Sequence, residues 1–307
     1  MTFTVTILGS NSAMPVYDRH PSAQLVNVNE NLFLIDCGEG TQMQLQKYGI
    51  RYHKINHIFI SHLHGDHFHG LLPLLDTFML TDRKSPLYLF APPDFLKVLE
   101  LHQMVSSKGY KPEYPIIFQP VDAGKTGVIF ENKHLSISTL PMIHGLPCTG
   151  FLLKQKIVDR KMKAGKIQEY QIPFSLIDGI KKGDNFITPS GRVISNQELT
   201  EDPPVPRSYA YCSDTSFNEN LIPLLKGVDV LYHESTYLED MQEFAAARGH
   251  STATDAAKIA SAAKVQRLYL GHFSSRYEKT DRFLKEARKV FKETCLALEG
   301  SVINVLE

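Results

Sequence analysis

The hexapeptide His62-Leu63-His64-Gly65-Asp66-His67 restricts this chain more than any other stretch. It follows the apolar run Ile58-Phe59-Ile60, which is too short for a helix and reads as a buried strand. The polar block therefore lies in the loop at that strand's carboxyl end. Imidazole nitrogens and carboxylate oxygens are the ligands of catalytic zinc, and two neighbouring metals need more than three of them. Gly65 permits a tight turn between His64 and Asp66. The plain alternative is a His-rich surface loop, but ligand-type residues rarely cluster so densely without a metal.

Later strand-like runs repeat the pattern. Leu135–Leu140 alternates apolar and polar residues and leads to His144. Tyr209–Ser213 ends at Asp214, Val228–Tyr232 ends at His233-Glu234, and Arg267–Leu270 ends at Gly271-His272. Each run delivers a metal-type or acid–base side chain at its carboxyl end, and strands lying side by side put such ends on one rim. Phe3–Leu8 is a further strand, and Ala23–Val28 with Asn31–Ile35 reads as a hairpin. Asp36 follows that hairpin and serves either beside a metal, orienting a ligand, or as a helix cap. Helices are expected over Leu71–Leu80 and around Asp94–Val105, so the chain is of the α/β class.

A chain of 307 residues holds one large domain or two ordinary ones, and 43% hydrophobic with 21% charged residues describes a soluble globular protein. The formal net charge is zero, so a nucleic-acid partner must be met by a local basic patch. Cys37, Cys148, Cys212 and Cys295 are scattered, as expected of reduced, mostly buried thiols in a cytosolic protein. No apolar run approaches the ~18 residues of a membrane span, and the amino terminus lacks a basic leader. The expected location is cytoplasmic, with no membrane partner.

The His62–His67 block, with Gly70 trailing it, resembles the His-x-His-x-Asp-His motif of the metallo-β-lactamase superfamily. That resemblance implies a four-layer αββα sandwich with zinc along one edge. It further implies that His62, His64 and His144 hold one zinc and Asp66, His67 and His272 a second, with Asp214 bridging. A water between the two ions would then be the nucleophile, with Asp66 also placed to take its proton. Within the superfamily, Asp36-Cys37-Gly38-Glu39-Gly40-Thr41-Gln42 resembles the tRNase Z (ribonuclease Z) branch. So do His233-Glu234-Ser235-Thr236, with Ser235 in place of alanine, and His250-Ser251-Thr252. In that branch the imidazole corresponding to His250 protonates the departing ribose oxygen and the carboxylate corresponding to Glu234 orients it. RNA cleavage that leaves a 3′-hydroxyl expels an alkoxide, which calls for such an acid, and a carboxylate keeps imidazolium populated near neutral pH. The structural alternative is an ion pair beside a helix capped by Ser251 or Thr252.

The chain is expected to be one domain over 1–307 with an arm-like insertion at about 154–207. From Lys154 to Arg192 there are nine Lys or Arg against four Asp or Glu, an excess of five positive charges without core-like periodicity. This resembles the exosite arm with which tRNase Z holds the body of its tRNA. A solvated charged loop is the alternative. Phe174-Ser175 stands where the family's arm has Gly-Pro. Pro15-Val16-Tyr17-Asp18-Arg19-His20 stands where bacterial members often have Pro-x-Lys-x-Arg-Asn, leaving Arg19 able to bind phosphate or a base edge. His272-Phe273-Ser274-Ser275-Arg276-Tyr277 resembles the family's His-x-Ser-x-Arg-Tyr, which places Arg276 near a substrate phosphate. The resemblance implies a homodimeric endoribonuclease with two zinc ions per subunit, removing 3′ trailers from precursor tRNA. The rival readings are a phosphodiesterase or esterase of the same fold acting on a small substrate, and a metal-free RNA-binding protein.

Overall fold

The computed structural model describes residues 2–106 and 113–306. Strands β1 (Phe3–Gly9), β2 (Ala23–Val28), β3 (Asn31–Ile35), β4 (Ile55–Phe59), β5 (Leu87–Ala91) and β6 (Ile116–Pro120) form a first sheet that the last strand, β18 (Val302–Asn304), completes in the order β18-β1-β2-β3-β4-β5-β6. The second sheet contains β7 (Val128–Glu131), β8 (Leu135–Pro141), β9 (Thr149–Gln155), β14 (Ser208–Cys212), β15 (Val230–Glu234), β16 (Arg267–Gly271) and β17 (Thr294–Leu296). Their order is β17-β16-β15-β14-β9-β8-β7. Between β9 and β14, β10 (Lys161–Met162) pairs with β13 (Thr200–Glu201), and β11 (Phe186–Ile187) pairs with β12 (Val193–Ile194).

The expected hairpin is β2–β3. Its two turn residues, Asn29 and Glu30, both take left-handed backbone (φ 49° and 64°), the conformation of a two-residue turn matched to strand twist. From β3 to β6 and from β14 to β17 the strands run parallel. Parallel strands put their carboxyl ends on the same edge, where loops can carry chemistry.

Aromatic side chains fill the layer between the sheets. Phe59 of β4 stacks on Phe90 of β5 at 4.4 Å and meets Phe151 of β9 edge-on at 5.5 Å. The Tyr209 hydroxyl of β14 donates to Gln24 of β2. Outside the first sheet, helices Thr41–Lys47, Leu71–Leu80 and Phe95–Ser106 bury Leu45, Leu74, Phe78 and Phe95 against Ile58, Leu87 and Leu89. Outside the second, the alanine-rich helix Ala253–Ala263 lies with Leu221 and Phe283 on Leu231, Leu268 and Leu270. The result is the expected four-layer αββα sandwich.

The chain divides into two compact units, one of Met1–Phe130, Ile137–Leu153 and Arg207–Glu307, the other of Glu131–Ser136 and Lys154–Pro206. The second unit corrects the sequence reading in two respects. It has a core, built from Ile172, Ile180, Phe186, Ile194 and Leu199. Very short elements supply one or two apolar side chains each, so no periodicity develops. Its charge is also lower than the run 154–192 suggests. The unit as a whole carries ten Lys or Arg against eight Asp or Glu, a net of two positive, because Glu131, Glu198, Glu201 and Asp202 belong to it.

Three of the four cysteines, Cys37, Cys148 and Cys212, are buried and all four are free. Burial pushes the Cys37 thiol up to about 12, beyond ordinary reactivity. Among the described residues no helix is long and apolar enough to cross a membrane.

The inter-sheet aromatic layer makes a direct prediction. Phe59→Ala should lower unfolding stability by about 3–5 kcal/mol, the cost of truncating a fully packed Phe. Lys285→Ala, on the exposed face of the helix Asp281–Ala287, should stay within about 0.5 kcal/mol of the parent in the same urea titration.

Candidate metal centre

The carboxyl ends of β4, β14 and β16 and the loop after β8 bring seven ligand-type side chains into two adjoining groups. His62, His64, His144 and Asp214 form one; Asp66, His67 and His272 form the other. In the first, His64 Nδ1 lies 3.0 Å from His62 Nε2 and 3.0 Å from His144 Nε2. In the second, His67 Nε2 lies 3.3 Å from His272 Nε2, and Asp66 Oδ2 lies 3.4 Å from His272 Nε2. Asp214 turns one oxygen to each group, with Oδ2 3.5 Å from His62 Nε2 and Oδ1 3.1 Å from His272 Nε2. Every metal-type residue singled out in the sequence is here.

Four of the five imidazoles are aimed by their remote nitrogens. His67 Nδ1 donates to Asp36 at 2.7 Å, His62 Nδ1 to Ser61 Oγ at 3.0 Å, His144 Nδ1 to the Gly249 carbonyl at 2.7 Å and His272 Nδ1 to Thr236 Oγ1 at 2.8 Å. These bonds fix the tautomers and leave Nε2 of all four rings facing the cluster. Asp36 is thereby the residue that orients His67, and it caps nothing: the residue preceding the helix Thr41–Lys47 is Gly40. The Asp36 carboxylate also accepts from Ser61 N and Oγ and from the Tyr211 hydroxyl.

Two of these residues hold unusual backbone. Asp36 and His272 lie in the left-handed region, at φ 55° and 58°, a conformation costing a non-glycine residue about 1 kcal/mol or more. Gly65 acts otherwise than expected. It opens the short helix Gly65–Phe68 without positive φ, and a Cβ there would stand 2.2 Å from the His69 ring.

The electrostatics ask for a cation. Burial and neighbouring imidazoles hold His62 and His64 below their ordinary value, in the neutral form that ligates. For His67 burial acts the same way, but Asp214, Asp66 and Asp36 outweigh it and raise it well above. Three carboxylates around one buried ring leave an excess of negative charge that a metal ion would balance. Asp214 Oδ1 is buried with no hydrogen-bond partner among the described residues. Ligand atoms 2.0–2.1 Å from a tetrahedral ion stand roughly 3.3–3.4 Å apart, close to the separations just given. Donor types, spacing, charge and the orphaned oxygen all fit a metal centre.

Beside it stand His250 and Glu234, the two residues expected from the sequence to form an acid–base pair. His250 Nδ1 donates to Glu234 Oε1 at 2.9 Å, and Glu234 is fully buried. Glu234 also accepts from Thr215 N, Thr236 N and Thr236 Oγ1. Burial works against a charged His250, but the charge and hydrogen bond of Glu234 override it and lift the ring to about 9. With Nδ1 committed to Glu234, His250 faces the cleft with Nε2. The cap reading of this segment also holds, at Thr252: Thr252 and Asp255 form a capping box on the helix Ala253–Ala263.

Arg19 and Arg276 differ. Arg19 sits after a tight turn in which Tyr17 and Asp18 take left-handed backbone. It donates to Asn11 Oδ1 and to the carbonyls of Tyr277 and Glu278, so its guanidinium ties the loop to the segment after His272. Arg276 is exposed, its guanidinium 5.4 Å from the centre of the Phe244 ring. A cleft of ≈ 650 Å³ runs from His64 and His144 past His250 to Arg248. Arg248 and Phe244 were not singled out as functional by sequence; their one signal is the position of Arg248 two residues before His250.

Residues 3–174 match the family described as Anti-Pycsar protein Apyc1. Over 303 residues the chain is 41% identical to a ribonuclease Z of Bacteroides fragilis, covering 99% of both chains. It is 40% identical to a ribonuclease Z of Phocaeicola vulgatus, covering 99% of this chain and 97% of that one. Among solved structures, the short form of human tRNase Z is similar at a TM-score of 0.71 and 24% identity, over 98% of this chain and 99% of that chain. The metallo-β-lactamase-fold protein YhfI of Bacillus subtilis is similar at 0.70 and 19%, over 98% of each. These two likenesses bear on the fold.

The bond from Asp36 to His67 can be tested alone. Asp36→Asn should weaken divalent-metal affinity about 10- to 100-fold, as loss of a ligand's orienting carboxylate does, with the circular-dichroism spectrum unchanged. Competition with a chromophoric chelator reads the affinity.

Proposed function

The chain belongs to the ribonuclease Z family and, through residues 3–174, to the family described as Anti-Pycsar protein Apyc1, and from that premise we propose that it is a zinc-dependent endoribonuclease that removes 3′ trailers from tRNA precursors and leaves a 3′-hydroxyl. The observation that carries this reading is the His250–Glu234 pair beside the seven-residue cluster. A metal centre alone serves many hydrolyses. An imidazolium acid next to it serves those that expel a poor leaving group such as a ribose alkoxide.

His62, His64 and His144 would hold one zinc ion and Asp66, His67 and His272 a second, with Asp214 shared between them. Bound there, zinc supplies a water acidified toward pH ~7 and positive charge for the phosphate. Asp66 keeps one carboxylate oxygen on the Ala13 amide at 2.8 Å, which fixes the group beside His67 and His272. Burial alone would raise its pKa, but the His67 and His272 rings hold it well below the usual carboxylate range, so it stays ionised, as a metal ligand must. His250 gives its Nε2 proton to the departing O3′, and Glu234, held by Thr215 and Thr236, stabilises the charged ring until then.

The unit containing residues 154–206 is the segment proposed to hold the tRNA body, as an insertion into a single sandwich domain. Lys161 and Arg192 are exposed there and make no ion pair among the described residues, whereas Arg160, Lys166 and Lys182 are paired with Asp202, Glu169 and Asp178. Phosphate contacts of the free cations release counterions, so affinity should fall with salt. Arg276 is proposed to meet substrate phosphate, and Arg19 to act by fixing the first loop. A homodimer is favoured by the outer helix layer of the first sheet, where Met43, Leu80, Leu101 and Met104 are 57–80% exposed. A cytoplasmic location follows from the substrate. Hydrolysis of small phosphodiesters is a second reading, favoured by the cleft of ≈ 650 Å³ beside the donor cluster.

Zinc-loaded protein should make one metal-dependent cut near the acceptor stem of a 3′-extended tRNA, absent in Asp66→Ala. Hydrolysis of a small phosphodiester without any tRNA cut would sink the first reading and leave the second. The pH dependence has a definite sign. The acid form of His250 persists below about 9, so kcat should fall as pH rises through that value. Glu234→Gln removes the charge that raises the ring and should shift this alkaline limb down toward the ordinary ~6.5. His250→Ala should lose about 10²- to 10⁴-fold in kcat with metal content retained.

A further inference from the structure

Tyr237 and Arg248 line the cleft with His250, Phe244 and Arg276 join them through ring contacts, and none of the four takes part in the donor cluster or the His250–Glu234 pair. Phe244 stands edge-on to Tyr237 at 5.3 Å, and Tyr237 stands edge-on to His250 at 6.1 Å. Both guanidiniums approach the Phe244 ring, Arg248 at 4.9 Å and Arg276 at 5.4 Å from its centre. Both are exposed, and neither forms an ion pair among the described residues. In the same unit Arg19, Arg83, Arg207 and Arg267 are committed to carbonyl, amide or carboxylate oxygens.

Two like charges gathered on one ring repel each other. The ring offers each cation only about 0.5–1 kcal/mol at an exposed site, so the arrangement is completed by an anion. A guanidinium pair suits phosphate, which it can hold with several N–H donors at fixed angles. Tyr237 lies within the field of both cations. Burial raises its hydroxyl, and Arg276 and Arg248 pull it the other way. Arg248, Tyr237 and His250 line the cleft that continues to His64 and His144, so an anion at the guanidiniums belongs to the chain that occupies the cleft.

The side of the cut follows from the proton. His250 serves the departing O3′, so groups beyond His250, away from the donor cluster, face the strand that ends in that oxygen. We propose that Phe244, Arg248 and Arg276 form a subsite for the nucleotide whose 3′-oxygen departs, with its base against Phe244 and its phosphate between the two guanidiniums. The subsite rests on the reading of His250 as the acid and of RNA as substrate. It assigns a role to Phe244 and Arg248, and through stacking and charge it tolerates any base, because every base has a π-face.

The test compares Phe244→Leu and Arg248→Ala with the parent, all zinc-loaded, on a 3′-extended tRNA and on bis(p-nitrophenyl) phosphate. Arg248→Ala should raise KM for the tRNA about tenfold with kcat within about threefold, and flatten the plot of log affinity against log salt by ~0.7, the loss of one single-strand phosphate contact. Phe244→Leu should raise KM about fivefold or more. For both variants kcat/KM should fall at least fivefold more on the tRNA than on the small ester. An unchanged KM on tRNA, or an equal fall on both substrates, overturns the subsite while the parent still cuts tRNA. Failure of the parent itself to cut tRNA overturns the ribonuclease reading and the subsite together.

Discussion

Removing a carboxylate from water without giving it a cation or hydrogen-bond donors costs several kcal/mol, and this fold gathers Asp36, Asp66 and Asp214 around the buried ring of His67. The surrounding structure answers that constraint. Asp36 receives four donors, from Ser61, His67 and Tyr211. Asp66 receives the Ala13 amide. Asp214 has imidazoles on both sides and one buried oxygen with no hydrogen-bond partner among the described residues. The charge left over is the reason the site is built for metal, and the hydrogen bonds behind it are the reason the donors stand still.

Those supports come from the interior of the sandwich. Tyr211 reaches Asp36 from the opposite sheet, and Ser213 Oγ donates to Ser61 Oγ, which in turn donates to Asp36. The donors of the two sheets are therefore held by polar bonds across the same layer that aromatic rings fill further in. Thr236 links the donor cluster with the His250–Glu234 pair, since its hydroxyl accepts from His272 and donates to Glu234. Gly249 makes a second link, with its carbonyl on His144 and His250 next in the chain. His250 is thus positioned by the same bonds that orient the imidazoles of the donor cluster.

Much of this was legible in the sequence because it is local. The His62–His67 block, the apolar runs ending at His144, Asp214, Glu234 and His272, and the β2–β3 turn each depend on a few adjacent residues. Asp36 was readable only as one of two roles, because the choice between cap and orienting group is made by His67, thirty-one residues on. The left-handed backbone at His272 carries no signal, since nothing in the residue type calls for it. Arg19 looked free to bind phosphate, but its partners Tyr277 and Glu278 arrive from the far end of the chain. The core of the unit holding 154–206 was hidden for a related reason: helices and strands of two to six residues are too short to develop a pattern.

The central claim is that His250, charged by Glu234, protonates the departing 3′-oxygen next to a metal centre that supplies the attacking water. It is tested most directly by changing that one atom. A tRNA precursor with sulfur in place of the bridging 3′-oxygen at the cut has a leaving group that needs no proton. His250→Ala, crippled on the oxygen substrate, should cut the sulfur substrate at close to the parent's rate. An equal loss on both substrates would contradict the account and leave His250 a structural partner of Glu234.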